Sequence, residues 1–309
     1  MTRFFGLPIL LAVVAGIIFP YAALSLMPYG FVFLFILMLL SGLSIDWSRL
    51  PAAFKRPGEL LGGVFLIFAF FPLLQLVVAR LLIDDAQFLT GIVFGSLMPV
   101  ALVAPFFTRE LGGDEEYAFL LLVCSMLVSP LIAPICLSFL TADILPIRMV
   151  PFMKNMVLLV TIPLAASYLV ARLMPGLRLR IVPYLAVGNM AALSVLIFIL
   201  FGNAVGRINL GYESWPEISR LLLLAFFQDF GVLLLARALV GRIISEGAAT
   251  ALMVSLSMKN VAIATGILLF YDPRAALPPA LVFIAHACLF SFLPLAKRFL
   301  VIKGEEPVA

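Results

Sequence analysis

Long apolar stretches alternate with short polar ones along the whole chain of 309 residues. A helix needs about 20 apolar residues to cross a bilayer, and proline, glycine and charged residues divide the sequence into ten such stretches. The predicted spans are residues 4–26, 28–45, 58–83, 87–108, 116–141, 150–174, 181–205, 217–240, 247–270 and 276–301. The connecting segments are too short for a separate soluble domain. The pattern predicts one all-α integral membrane protein that crosses the lipid bilayer about ten times.

Composition excludes the soluble globular class, because 64% of the residues are hydrophobic and only 12% are charged. The cysteines, Cys124, Cys136 and Cys288, lie in apolar runs without the spacing of a zinc site or a disulfide framework. The first apolar run has no convincing cleavage site and is interpreted as a spanning helix. Basic residues are scattered, so we expect no nucleic-acid partner. We also expect no metal and no cofactor.

The distribution of lysine and arginine predicts the orientation of the chain. Ten spans put both termini on one side, and the loops on that side carry about thirteen of the basic residues, against about six on the other side. Arg3, Arg49, Arg109 and Lys303 belong to the richer side, and Arg148 belongs to the poorer one. By the positive-inside rule, the protein lies in the plasma (cytoplasmic) membrane with both termini in the cytoplasm.

Two of the spans contain residues that interrupt a helix. The fourth, SLMPVALVAPFF, has Pro99 and Pro105, each of which removes a backbone donor and clashes with the preceding turn. The ninth, SLSMKNVAIATG, has Lys259 and Asn260 at its centre. A charge there costs about 2.5–3.5 kcal/mol on insertion scales, so intramembrane lysines are rare and usually functional. These features predict two broken helices.

The interrupted spans occupy equivalent positions in two halves of five spans each, residues 1–149 and 150–309. An odd number of spans inverts the second half relative to the first, which is the inverted repeat of many secondary transporters. In such folds, paired broken helices mark the binding site, because helix N-termini attract anions and unwound carbonyls coordinate cations. The alternative is that the prolines merely kink two ordinary membrane helices.

Several short motifs resemble the bile acid:sodium symporter family. In GLSIDWSRLPAAFKRPGELLGGVFLIFAFFP, residues 42–72, a Gly-Leu element precedes a turn of the form F-K-x-P, and a proline follows in the next span. The positions that match the family along the chain are Phe54, Lys55, Pro57, Pro72, Pro99, Ser129, Pro130, Asn260 and His286. Each motif is short, but together they extend over nearly the whole chain.

The resemblance implies a ten-helix fold with a mobile panel of helices 1, 2, 6 and 7 and a core of helices 3–5 and 8–10. Family members import organic anions together with sodium. Their substrates bind in the cleft between panel and core, near the crossing of helices 4 and 9. Carried over to this sequence, the resemblance places Asn260, His286, Pro99 and Ala104 at the substrate site.

This sequence departs from the family at the sodium sites. The family uses a Gln in helix 3, a Ser-Asn pair in helix 4, hydroxyl residues in helix 5, and an acid and a Gln in helix 9. The corresponding positions here are Ile67, Ala104, Pro105, Ala118, Leu122, Ser255 and Lys259. Nearly every side-chain ligand is absent, which implies that transport is driven weakly or not at all by sodium.

Lys259 corresponds to a sodium-ligating Gln, so its ammonium is interpreted as a tethered cation that replaces the ion. Asp229, in LLLLAFFQDFGVLLLARAL, is a second charge deep in a span. Pairing with Lys259 would lower the cost of burying both charges. Three alternatives stay open at this point: a static pair, a pair that carries a proton for coupling, and no contact between the two residues.

His286, the only histidine, is either a packed residue between helices or part of the substrate cleft. Asn260 either caps the second half of the ninth helix or reaches the substrate. A lysine with an aspartate also describes a retinal protein, but the number of spans and the position of the lysine argue against it. No GxSxG or HExxH motif indicates a hydrolase, so we expect no catalytic residues. A receptor or a channel stays an alternative.

The sequence as a whole predicts a secondary transporter of a small organic anion that works by alternating access. Lys259 and Asp229 are its candidate charge and coupling residues. The transporter is coupled to protons or facilitative, and a sodium symporter with altered ligands is the alternative. The sequence identifies neither the substrate nor the oligomeric state.

Overall fold

A computed structural model describes residues 6–140, 149–207, 215–240 and 244–300, and these are overwhelmingly helical. Six helical stretches are long and apolar enough to cross a membrane: Pro20–Ser44, Pro57–Arg80, Glu115–Leu140, Val150–Leu173, Pro175–Gly206 and Trp215–Ala236. Four shorter apolar helices accompany them: Gly6–Ile18, Ala86–Ser96, Val261–Tyr271 and Leu277–Phe292. The all-α membrane class is confirmed. Arg3, Arg148 and Lys303 of the orientation count lie outside the described residues, as does the side chain of Phe54.

The helices are numbered in chain order. The first half holds α1 Gly6–Ile18, α2 Pro20–Leu26, α3 Gly30–Ser44, α4 Pro57–Phe65, α5 Phe71–Arg80, α6 Ala86–Ser96, α7 Ala104–Glu110 and α8 Glu115–Leu140. The second half holds α9 Met149–Met156, α10 Ile162–Leu173, α11 Pro175–Arg207, α12 Trp215–Phe226, α13 Val232–Val240, α14 Glu246–Ser257, α15 Val261–Tyr271 and α16 Leu277–Leu300. Short 3₁₀ segments cover Met27–Tyr29 and Trp47–Lys55.

The first two predicted spans are organised differently from the prediction. Helix α1 ends at Ile18 because Phe19, which precedes a proline, leaves the helical conformation with φ −119° and ψ 53°. One helical stretch then runs from Pro20 to Ser44 through α2, the 3₁₀ turn and α3. The number of ten crossings therefore stays a prediction.

Both predicted helix breaks are present, and they meet. Helix α6 ends at Ser96 and α7 begins at Ala104, while α14 ends at Ser257 and α15 begins at Val261. Val100 and Lys259 form an antiparallel bridge. On either side of it, the Ala101 amide donates to the Met258 carbonyl and the Asn260 amide donates to the Pro99 carbonyl, each at 2.8 Å. Each break thus satisfies the backbone groups of the other, which a membrane interior requires.

Within the described residues, three helical stretches carry one turn of π-helix each. The π1 segment is Leu66–Phe70, π2 is Val157–Thr161 and π3 is Phe227–Gly231. Pro72 follows π1 and Pro163 follows π2 in the first turn of the next helix, where the missing amide hydrogens favour a wider turn. Within the described part of the chain π3 has no such proline, and Gly231 ends it. Segments π1 and π3 both contact the helix crossing.

The long helix α11 organises the packing of the N-terminal helices. Helices α1, α2 and α3 pack along it, and α10 packs on α3. Close approach is possible because glycine faces glycine: a Cβ added to Gly16 would lie 3.0 Å from the Gly202 backbone nitrogen. Small residues at such interfaces let membrane helices pack through van der Waals contact.

Candidate functional site

A cleft of about 570 Å³ extends from the surface to the helix crossing. Its mouth is lined by the charged residues Asp46, Arg49, Arg109 and Glu115, whose side chains are partly exposed. Its inner end is lined by Lys259, Asn260 and His286. Lys259 is 1% exposed and His286 is 4% exposed, so a molecule entering the cleft reaches the crossing at a point shielded from solvent.

The Lys259 ammonium is held by backbone and aromatic groups. Nζ lies 3.3 Å from the Ile67 carbonyl oxygen of π1 and 4.9 Å from the centroid of the Phe71 ring. The ring face attracts the cation, and the carbonyl accepts one of its hydrogen bonds. The main chain of Lys259 is fixed by its bridge to Val100. The amino group of Lys259 is therefore fixed at the point where the broken helices cross.

Asp229, the second intramembrane charge, does not pair with Lys259. It lies in π3 and is completely buried, and neither of its carboxylate oxygens has a hydrogen-bond partner. The nearest basic group is His286, whose Nε2 is 3.8 Å from Oδ1 of Asp229. Of the three alternatives that the sequence leaves open, the absence of contact applies: Lys259 turns toward π1, and Asp229 turns toward α16.

His286 lies between the cleft and Asp229. Its Nδ1 is 3.1 Å from the Val282 carbonyl oxygen, one turn earlier on α16. A carbonyl can only accept, so Nδ1 carries a hydrogen and the neutral ring presents a lone pair at Nε2. The same side chain lines the cleft. It is thus both packed between helices and part of the cleft wall, which combines the two predicted alternatives.

The structure shows where three further residues of the predicted substrate site lie. Asn260 stands at the N-cap of α15 but makes no side-chain cap; its Nδ2 faces the Met38 sulfur at 3.9 Å and it lines the cleft. This corrects the capping alternative. Pro99 and Ala104 are buried and do not line the cleft. Their contact with substrate stays a prediction, and the carbonyl of Pro99 accepts a hydrogen bond that holds the crossing together.

The positions that correspond to family sodium ligands offer few oxygen atoms. Ile67, Ala104 and Ala118 are fully buried hydrocarbon side chains, and Leu122 and Pro105 contribute apolar atoms to the cleft wall. Ser255 is the exception, because its buried hydroxyl has no hydrogen-bond partner. A hard cation requires several oxygen ligands, so these side chains do not fit a sodium ion.

A family model described as the sodium bile acid symporter family matches residues 31–209, which is more than half of the chain. The chain belongs to the sodium bile acid symporter family. The resemblance inferred from the motifs is confirmed, and the protein is a multi-pass membrane protein of a transporter family. The family match covers the first broken helix and ends before the second.

A curated relative points in the same direction. It is the probable sodium/metabolite cotransporter BASS3, chloroplastic, of Oryza sativa subsp. japonica, which is 24% identical over 133 residues. The alignment covers 43% of this chain and 31% of the relative. The chain therefore spans about a third of the length of that symporter.

Two serines at the crossing were not assigned a role from the sequence. The Ser125 hydroxyl accepts a hydrogen bond from the Val100 amide at 3.0 Å and donates to the Leu122 carbonyl at 2.9 Å. The Ser257 hydroxyl donates to the Asp229 carbonyl at 2.8 Å. The signal for Ser257 was its place beside Lys259, whereas nothing in the sequence connects Ser125 to a break in another helix.

A group of aromatic side chains, here called the aromatic closure, joins the ends of α3 and α15 that lie away from the charged mouth and the helix crossing. Phe31 of α3 stacks on Phe270 of α15, with ring centroids 3.7 Å apart. Phe152 of α9 packs on Tyr271, whose hydroxyl accepts a hydrogen bond from Asn155 at 3.1 Å. These contacts join predicted panel helices to the second half of the ninth span.

At the mouth, Asp46 caps the 3₁₀ segment that follows α3. The Ser48 hydroxyl donates a hydrogen bond to Asp46 Oδ1 at 2.6 Å, and Arg49 lies 3.2 Å from Oδ2. These partners, the Ser48 hydroxyl first, hold the pKa of Asp46 below its usual 3.8. Asp46 is therefore charged at physiological pH, and the mouth carries charges of both signs.

Proposed function

We propose that this member of the symporter family carries a small organic anion by alternating access, and that Lys259 supplies the charge that sodium supplies in relatives. The observation that carries the proposal is the position of the Lys259 ammonium. It is buried at the crossing of the broken helices, lines the cleft and binds a π-helical carbonyl. Lysines buried in membrane helices are rare and usually functional, because burying their charge is costly.

The inner end of the cleft favours an anion. The N-terminus of α15 opens there, and Asn260 and Val261 line the cleft beside Lys259. The dipole of α15 stabilises a negative charge at this end of the helix, and the nearby ammonium adds to this. The side-chain amide of Asn260 does not cap α15, so it can contact a ligand. A carboxylate with a short carbon skeleton matches a small positive site in an otherwise apolar cleft.

A sodium symporter with altered ligands is the alternative, since both the family description and the name of the rice relative contain sodium. Two features favour the tethered cation. The side chains at the ligand positions are almost all hydrocarbon, and the Ile67 carbonyl accepts a hydrogen bond from the ammonium. A second cation at the same carbonyl would be repelled by the first. Coupling to protons or simple facilitation then replaces coupling to sodium.

Alternating access is supported by the asymmetry of the cleft, which opens at the charged mouth and ends at the helix crossing. A carrier exposes its site to one side at a time, whereas an open channel connects both sides. Counterflow of a labelled substrate in proteoliposomes separates the two, because it requires a carrier that shuttles while loaded. By the same proposal, the protein lies in the plasma membrane with its termini in the cytoplasm.

The sodium question is tested by the thermal stability of the purified protein in sodium chloride and in choline chloride at equal ionic strength. An ion that binds only the native state at 100 times its Kd adds about 2.7 kcal/mol. We expect equal Tm values in the two salts for the wild type. A clear increase in sodium would overturn the tethered-cation proposal and favour the sodium symporter.

The anion proposal is tested with a panel of acetate, lactate, pyruvate, malate and succinate in the same assay. We expect at least one of them to raise the Tm of the wild type, and Lys259→Gln to abolish the increase. Lys154→Gln is the matched control, since Lys154 is an exposed lysine on α9. Equal stabilisation of the wild type and Lys259→Gln would contradict a role for Lys259 in anion binding.

A further inference from the structure

We infer that Asp229 and His286 together form a binding site for one proton behind the inner end of the cleft. The inference rests on the proposed transport function, to which it adds an ion that can drive the cycle. It starts from the two residues that the structure brings together, at 3.8 Å, although they are 57 positions apart in the sequence.

The two facing atoms are both acceptors. Asp229 Oδ1 and Oδ2 have no hydrogen-bond partner and are completely buried. Nε2 of His286 also has no partner, and it carries the lone pair because Nδ1 donates to the Val282 carbonyl. Two acceptors that face each other away from water are complementary to one hydrogen, which either of them can hold and share with the other.

The charge of the site leads to the same conclusion. With a neutral imidazole and an ionised carboxylate, the pair has a net charge of −1 in a buried part of the membrane domain. One added proton makes the pair neutral, either as imidazolium with carboxylate or as imidazole with carboxylic acid. Burying a net charge in a membrane is expensive, and a paired or neutral group costs much less. No electron transfer or co-reactant is needed.

The other titratable groups of the neighbouring helices do not substitute for this proton. Helices α12, α13, α14 and α16 pack against π3. Besides His286, the thiol of Cys288 on α16 is close enough to Asp229 to be affected by its charge. The remaining groups are about three turns away along their helices or have side chains outside the described part: Glu217, Arg220, Glu246, Arg237, Lys297 and Arg298.

The site is reached from the cleft through His286. The imidazole lines the cleft wall, whereas Asp229 is completely buried behind it. The imidazole therefore separates the carboxylate from the cleft, and a proton that enters from the cleft reaches the imidazole before the carboxylate. The proton is available to the compartment that the cleft faces, which is the condition for coupling to alternating access.

The site is connected to the helix crossing by Ser257. Its hydroxyl donates to the carbonyl of Asp229, and Ser257 directly precedes the break between α14 and α15. On the opposite side of the crossing, Lys259 binds the carbonyl of Ile67 in π1. A proton bound by the pair can therefore affect Ser257, the residue that ends α14. Lys259 contacts the other π segment at the crossing, π1.

The experiment uses the fact that His286 is the only histidine in the sequence. The full-length protein, purified with a tag that contains no histidine, is labelled with ring-¹⁵N histidine and titrated by NMR. In the wild type we expect the Nδ1–H tautomer at high pH and a single midpoint at which Nε2 becomes protonated or accepts a hydrogen bond. An Nε2–H tautomer at high pH would overturn the inference without any variant.

Asp229→Asn removes the carboxylate and keeps its shape. We expect the His286 titration midpoint to move to lower pH by about 1 to 3 pH units, since an opposite charge within about 4–6 Å favours the charged imidazole. The exposed Asp84 provides the control, and Asp84→Asn should leave the midpoint unchanged. An unchanged midpoint in Asp229→Asn would overturn the inference, and Asp229→Glu serves as the acidic variant if the amide variant misfolds.

The NMR readout needs no substrate, so it is independent of the test for anion transport. A protein that passes the carboxylate and counterflow tests but shows no shared proton is an anion carrier without this site. A protein that shows the shared proton but no anion effect retains the site and loses the proposed substrate class. The two proposals therefore fail separately.

Discussion

The burial of Lys259 differs in its energetics from the burial of a lysine in an ion pair. No carboxylate lies within hydrogen-bond distance of its Nζ among the described residues, and its partners are one carbonyl and one aromatic ring. Replacing buried ions with apolar residues of similar size is often neutral or stabilising. A buried lysine without an ionic partner lowers the stability of the fold. A variant that removes Lys259 can therefore distinguish an effect on folding from an effect on anion binding.

We predict that Lys259→Met leaves the Tm equal to or above that of the wild type while abolishing stabilisation by carboxylates. Methionine fills a similar volume and removes the cost of burying the ammonium. The measurement is thermal unfolding in detergent, with and without the most stabilising carboxylate. A loss of about 3 kcal/mol or more, the cost of breaking a buried ion pair, would instead assign Lys259 a structural role.

Asp46 allows a prediction about pH. Its pKa in the folded protein is lowered, so its carboxylate contributes stability above the unfolded value of 3.8, and this contribution is lost as pH falls through the folded value. Asp46→Ala should therefore lower the Tm at pH 7, and its difference from the wild type should diminish as pH falls below 3.8. The side chain is half-exposed, so the effect stays below about 1 kcal/mol.

Ser48→Ala is the companion variant for this prediction, because it removes the partner with the largest effect on the Asp46 carboxylate. It should reproduce part of the loss at pH 7. A difference between Asp46→Ala and the wild type that did not diminish as pH fell below 3.8 would show that the side chain acts through packing and not through its charge.

The sequence identified the charged residues of the site but not their partners. Lys259 and Asp229 stand out because each is alone in an apolar stretch, and a hydropathy pattern detects that directly. The pattern does not give the rotation of one helix relative to another, which decides whether Asp229 faces Lys259 or His286. The carbonyl of Ile67 was unpredictable for a related reason: only a π-turn frees it to accept from a side chain.

At the scale of elements, the helix breaks could be predicted and the π segments could not. Proline and an intramembrane lysine interrupt a helix for local reasons, so both breaks appear where the sequence indicates them. A π-turn widens the helix by one residue without any residue that requires it. Pro72 and Pro163 favour such turns, but π3 has no proline, and no local signal marks it within FQDFG.

The aromatic closure allows a prediction about how helices would move apart at the end of the protein opposite the mouth of the cleft. Phe270→Ala removes the stack on Phe31 and should increase the population in which the far side is open. Spin labels at Val150 and Leu81, both highly exposed near that end, measure the change by pulsed EPR in a background without the native cysteines. We expect a longer distance to gain population.

Phe292→Ala is the matched control for this prediction, because Phe292 is a 55% exposed phenylalanine on α16 outside the closure. It should leave the distance distribution unchanged. The same distribution in the wild type and Phe270→Ala would show that the stack does not hold this end closed, and the closure would then depend on Asn155 and Tyr271.

At the scale of the whole molecule, the orientation predicted from lysine and arginine gives the direction of the cleft. Its mouth lies beside Arg49 and Arg109, which belong to the side predicted to be cytoplasmic. Ser44 is exposed and lines the cleft. In a cysteine-free background, Ser44→Cys should react with an impermeant maleimide in inside-out vesicles, and much less in intact cells.

Val150→Cys is the control on the opposite end and should show the reverse labelling. Reaction of Ser44→Cys from the outside alone would mean that the orientation is inverted. Hydropathy predicted the membrane class and most helix positions, but it placed the boundary between the first two predicted spans near residue 27 and not at Phe19. They follow each other through a proline and a 3₁₀ turn that remain helical, so composition hardly changes at the boundary.

The backbone bridge between Val100 and Lys259 also affects how the chain is made. Ala101 and Pro99 enter the membrane about 160 residues before Met258 and Asn260, the residues that complete their hydrogen bonds. At 5–20 residues per second, synthesis leaves these groups without their native partners for about 8 to 30 seconds. Each unsatisfied group costs several kcal/mol in hydrocarbon. The newly inserted first half is therefore a natural client for membrane chaperones until the second half arrives.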